Sequence, residues 1–122
     1  MSQGLLLSDD LIFVSRVVGT ARALGLTVRA ARSPDGLLSL AGAQAPVCVL
    51  VDLHNPGLEL PELLRRLTVV CPVRPRVVAY GSHVETAVLR AARAAGCDPV
   101  LPRSQFVELL PTALPEWLAQ AP

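Results

Sequence analysis

At 122 residues the chain is the size of one domain, large enough to bury a core without disulfides or a structural metal. Its eleven basic residues are all arginine and face ten acids, and a net charge of +1 argues against nucleic acid as a partner. Cys48, Cys71 and Cys97 are far apart and form no C-x-x-C pair, which argues against zinc or dithiol chemistry. With no basic leader and no apolar run of roughly 18 residues, the expectation is a soluble, cytoplasmic protein without a membrane partner.

Hydrophobic residues make up 52% of the chain and aromatic residues only 3%, so the expected core is aliphatic. Leu5 to Leu7 reads as a short strand closed by Ser8-Asp9-Asp10. Ile12, Val14, Val17, Val18, Ala21 and Leu24 then approximate a helical stripe that Ser8 or Asp9 can cap and Gly25 stops. Thr27 to Ala31 alternates as a less buried strand, and Ser33-Pro34 opens a helix through Leu37, Leu38, Leu40 and Ala41.

Cys48-Val49-Leu50-Val51-Asp52 is apolar throughout and ends on a carboxylate, as expected of a central parallel strand covered on both faces. Pro61 starts a helix with Leu63, Leu64, Leu67 and Val70 on its apolar face, and Arg76 to Tyr80 forms the next strand. Arg65, Arg66, Arg74 and Arg76 gather near that helix end and read as a solvated rim. Gly81-Ser82-His83 is a loop, Val84 to Ala95 an alanine-rich helix closed by Gly96, and Pro99 to Pro102 leaves room for one short strand. Ser104 can cap a last helix through Phe106, Val107, Leu109 and Leu110, which Pro111 and Pro115 kink or divide before Trp117 seals it.

Five strands alternating with five helices predict an α/β fold, a doubly wound parallel sheet in the order 2-1-3-4-5, with residues 1–122 forming a single domain. Strands one and three are neighbours in that order, so Asp9, Asp10 and Asp52 are expected side by side at the strand tips. Neither a G-x-G-x-x-G after the first strand nor a Walker-type loop is present, which excludes the usual nucleotide sites.

The acidic cluster after strand one, Asp52 at the tip of strand three, Pro56 four residues later, and Ala95-Gly96 before the last strand stand at separations that resemble the receiver domain of bacterial response regulators. The resemblance covers essentially the whole chain, with no output domain. It implies an acid pair and a strand-three aspartate that hold Mg²⁺, the aspartate accepting a phosphoryl group from a histidine kinase or a small phosphodonor. Counting back from Gly25 puts Ser8 and Asp9 at the acid positions, whereas aligning on the acids themselves gives Asp9 and Asp10. The first register leaves Asp9 and Asp52 as the ligands for weakly bound Mg²⁺.

Departures from the family pattern accumulate elsewhere. The switch hydroxyl position falls on Gly81, one residue from Ser82, and the strand-five aromatic position on Val100. The lysine position falls on Arg103, and since the chain has no lysine the usual ammonium is lost. The resemblance is therefore to an atypical or pseudo-receiver. It implies a non-enzymatic, stand-alone module acting through protein contacts, with a signalling partner such as a histidine kinase, or self-association, on the face of helix four, strand five and helix five.

A functional phospho-acceptor is the alternative. A small α/β ligand-binding domain or enzyme is a second, in which His54 and His83 could join Asp52 around a transition metal. Bland roles compete at each position: Asp52 as a loop-bonding carboxylate, Asp9 and Asp10 as helix caps, and Cys48 and Cys97 as small buried hydrophobes.

Overall fold

The computed structural model describes residues 3–119. Strands and helices alternate along the chain: β1 (Gln3–Leu7), α1 (Leu11–Ala23), β2 (Thr27–Ala31), α2 (Pro34–Ala43), β3 (Cys48–Asp52), α3 (Leu60–Val70), β4 (Arg76–Gly81), α4 (Thr86–Ala94), β5 (Val100–Pro102) and α5 (Arg103–Trp117). The strands form one parallel sheet in the order β2-β1-β3-β4-β5, the flavodoxin-like arrangement expected from the sequence.

Period-two alternation divides the core into two layers. Leu5, Leu7, Val49, Val51, Val77 and Ala79 face one side, where Leu37 of α2, Leu63 and Leu67 of α3, and Leu89 of α4 cover them. On the other side Leu6, Leu50, Val78 and Tyr80 meet Phe13 and Val17 of α1 and Phe106, Leu110 and Leu114 of α5. β1 and β3 are buried along their whole lengths because helices lie on both faces. A side chain at Gly4 would meet Leu118 Cδ2 at 2.6 Å, so this glycine lets the end of α5 close onto the sheet.

Three local expectations shift. Neither Ser8 nor Asp9 caps α1. Ser8 continues the β1 path, its amide donating to Ala31 O at 3.1 Å, and Asp10 becomes the cap by accepting from the Phe13 amide at 3.1 Å. The buried face of α1 is consequently Phe13, Val17 and Ala21, while Ile12 from the expected stripe is 85% exposed. At α5 the fixed backbone of Pro102 starts the helix at Arg103, placing Ser104 inside the first turn and not at the cap.

Pro111 and Pro115 leave α5 undivided over 15 residues. Both prolines are exposed, so the carbonyls they leave without an amide partner face water, while Leu110, Leu114 and Trp117 keep the buried stripe intact.

All four aromatic residues of the chain stack in that second layer. Tyr80 lies 4.7 Å from Phe13 and 4.4 Å from Phe106, and Phe106 lies 5.7 Å from Trp117, centroid to centroid. The scarcity of aromatics is thus offset by their concentration between α1, β4 and α5. Cys48, Cys71 and Cys97 are all buried and reduced, and burial pushes the Cys48 thiol up to about 12.

Candidate functional site at the strand tips

β3 carries Asp52 to its carboxyl end, with Tyr80 beside it in register on β4 and Leu7 to Val51 aligning β1 on the other side. Asp52 is only 3% exposed, so its carboxylate needs local donors. Ser8 supplies one, its hydroxyl donating to Asp52 Oδ2 at 2.9 Å. The His54 amide donates to Oδ1, also at 2.9 Å, through a tight turn closed by the Asn55 amide on Asp52 O at 3.0 Å. Arg103 approaches from the start of α5, with Nη2 4.0 Å from Oδ1.

The residue of the β1 tip that touches Asp52 is therefore Ser8, not either of the two acids expected beside it. Asp9 and Asp10 are exposed, and Asp10 is turned to its capping role. Among the described residues no group of three His, Cys, Asp or Glu side chains is gathered as a metal would require. Mg²⁺ prefers an octahedron of oxygens, and of the carboxylates expected to hold it only Asp52 is buried at the strand tips, where each of its oxygens already accepts one hydrogen bond.

Gly81, at the end of β4, is buried, and an added side chain there would meet His54 Nε2 at 3.2 Å. The imidazole lies over the place where a hydroxyl-bearing side chain would project. His54 Nε2 also accepts a hydrogen bond from the Ser82 amide at 2.9 Å, which requires a neutral ring with its proton on Nδ1. The two loops beyond β3 and β4 are thereby tied together across the mouth of the site. His83 is exposed at the rim, and Val100 is packed in the layer facing α4, away from Asp52.

Tyr80 adds a buried hydroxyl under this mouth. Its oxygen has no partner in hydrogen-bond geometry, and the nearby Ser8 hydroxyl gives its proton to Asp52. Burial, and then the charge of Asp52, push the phenol far above its ordinary range, with Ser8 and Arg103 opposing. Arg103 also lies over the Phe13 ring, its guanidinium carbon 5.9 Å from the centroid.

Ser8 as a partner of Asp52, His54 as a bridge and Tyr80 as the ring beneath are roles that sequence reasoning missed. His54, two residues beyond Asp52, was expected in this loop as a candidate metal ligand with His83 and Asp52, and it serves instead as a hydrogen-bond acceptor between the two loops. Its role depends on Leu53 continuing the β3–β4 pairing, with its amide donating to Tyr80 O at 2.9 Å.

No protein-family model matches the sequence. No curated protein matches it either. Solved structures do match in fold. The receiver domain of NtrX from Brucella abortus superposes with a TM-score of 0.81 at 21% identity over 97% of this chain and 99% of that domain. This chain spans only 27% of the longer NtrX structure solved in complex with ADP. A response regulator from Burkholderia pseudomallei, with a phosphorylated aspartic acid, calcium ion and citrate, gives a TM-score of 0.74 at 24% identity over 95% of this chain and 70% of its own. The Francisella response regulator 1452 receiver domain gives 0.80 at 16% identity, with 97% of each chain covered. The fold is that of response-regulator receiver domains.

Proposed function

We propose that this chain is a receiver-type signalling module that acts through protein contact, without standard aspartyl phosphorylation. The observation that carries the reading is the hydrogen bond from the Ser82 amide to His54 Nε2, made directly over Gly81. In the receiver pattern a Thr or Ser hydroxyl at the Gly81 position meets the phosphoryl group. Here that position has no hydroxyl and an imidazole covers it. Asp52 is also surrounded by donors, and the lysine that would pair with a phosphoryl group has no counterpart but Arg103.

The module is a non-catalytic, cytoplasmic domain. Its partner, a histidine kinase or a second copy of the chain, meets the face of α4, β5 and α5. Among the described residues no helix is long and apolar enough to cross a membrane.

The second reading is a working phospho-acceptor, with Asp52 as the accepting group, weak Mg²⁺ at Asp9 and Asp52, and Ser82 and Arg103 as substitutes. The 4.0 Å approach of Arg103 to Asp52 favours it, since that guanidinium could meet a phosphoryl oxygen. Incubation with Mg²⁺ and acetyl phosphate, followed by intact-mass measurement, separates the two. No mass gain is expected. A gain abolished by Asp52→Asn overturns the contact-only reading.

A further inference from the structure

Beside Asp52, but not including it, a cleft of about 570 Å³ opens between α1 and α5 under the loop after β4. Arg16 enters from α1, and Arg103 and Ser104 from the first turn of α5. Ser82 and His83 form the loop side, and Phe13 provides apolar wall. None of its lining residues is a carboxylate, whereas the cleft between α2 and α3 includes Asp35, Glu59 and Glu62.

The arginines differ in how they are satisfied. Arg65 is paired with Glu62 at 2.6 Å and Arg66 with Asp35 at 3.1 Å. Arg16 makes no ion pair among the described residues, and Arg103 has only the 4.0 Å approach to Asp52. The two guanidiniums reach the cleft from different helices. Around them stand two serine side chains and the start of α5, which has neither a side-chain cap nor an acid in its first turn.

We propose that this cleft is a non-covalent site for a small phosphate-type dianion, a phosphate monoester or free phosphate, held between Arg16 and Arg103. Planar guanidiniums recognise tetrahedral oxyanions through paired hydrogen bonds, and Ser82 and Ser104 supply neutral donors around the same volume. The Phe13 wall suits an organic substituent, which favours an ester over inorganic phosphate. Binding draws Arg103 from Asp52, so the carboxylate and the ligand compete for one guanidinium. The site would give the domain a reversible chemical input that needs no bond to Asp52.

Phenylphosphonate is the probe, because its phosphorus–carbon bond prevents phosphoryl transfer to Asp52. A failure here is thus distinguishable from a failure of the contact-only reading. Titration of the full chain, followed by calorimetry and by amide NMR shifts, is expected to give saturable binding with shifts centred on Ser82 and Ser104. Arg16→Gln and Arg103→Gln should each weaken binding by about tenfold or more. Arg65→Gln should leave it unchanged, and Asp52→Asn should tighten it by releasing Arg103. Inorganic phosphate should bind more weakly than phenylphosphonate; equal affinity would overturn the role of the apolar wall. Absence of saturable binding in the millimolar range, or binding indifferent to both arginine substitutions, would overturn the site. Both arginines are exposed, so the variants are expected to fold, as circular dichroism would verify.

Discussion

His54 and Ser82 are 28 residues apart in sequence, yet the imidazole of one accepts the amide proton of the other at 2.9 Å. The bond fastens the loop that carries the Asp52 turn to the loop that follows Gly81. Removing the ring should therefore loosen a specific amide more than it weakens the fold. In His54→Ala, hydrogen exchange at the Ser82 amide is expected to quicken by about tenfold, the equivalent of one ordinary hydrogen bond. Global stability should fall by no more than about 1 kcal/mol, since the side chain is exposed. Unchanged exchange at Ser82 would contradict the bridge.

Restoring a hydroxyl at Gly81 tests the same geometry from the other side. The added Cβ would lie 3.2 Å from His54 Nε2, 3.4 Å from Leu89 Cδ2 and 3.5 Å from Leu53 Cβ. Gly81→Thr should cost about 1–2 kcal/mol, and combining it with His54→Ala should recover part of that loss, a coupling that denaturant unfolding of the two singles and the double would measure. Strict additivity would mean that the ring and the new side chain do not meet.

Ser8 also sets the chemistry at Asp52, because its hydroxyl is a donor where a second carboxylate would be an acceptor. Ser8→Asp sets two acids against each other at a buried point and should destabilise the domain by about 1 kcal/mol or more without divalent ions. Millimolar Mg²⁺ should then raise the melting temperature of the variant and leave that of the native chain unmoved. Equal Mg²⁺ responses of the two proteins would show that Ser8 does not set the donor count.

Alkaline titration follows from the buried Tyr80 and Cys48. Both have folded-state values raised above those of the unfolded chain, so their contribution is intact below the unfolded values. For Cys48 it declines as pH climbs from 9.0 toward about 12, because the unfolded chain releases the proton first. The chain has a single tyrosine, so the absorbance change of phenolate formation reports it alone. Its ionisation should appear together with unfolding, and not near the ordinary tyrosine value of 10.0. A reversible phenolate signal with native circular dichroism would show that the ring is not held as described.

The sheet order and most element positions were legible because apolar runs such as Val49–Val51 and stops such as Gly25 and Gly96 act locally. The site was legible only as a set of positions. Spacing brought Ser8 to an acid position and left Asp9 and Asp10 both open as caps, but it did not choose between them. The sequence offers three candidate caps in a row; the claim of Asp52 on the Ser8 hydroxyl takes Ser8 out, and the start of α1 at Leu11 puts Asp10 at the cap. Phe13 is in phase with Val17 and Ala21 on the buried face of α1, and there it stacks on Tyr80, a partner 67 residues away that no local pattern announces.

The stacked rings leave the molecule with an optical gauge of its own. Trp117, the only tryptophan, is separated by one ring, Phe106, from the only tyrosine, which also stacks on Phe13 beneath Arg103. Light absorbed by Tyr80 can pass to Trp117 over this short path, and the phenol sits within the electrostatic reach of Asp52. Events at the strand tips should thus register as a change in emission at the far end of α5, with no label attached.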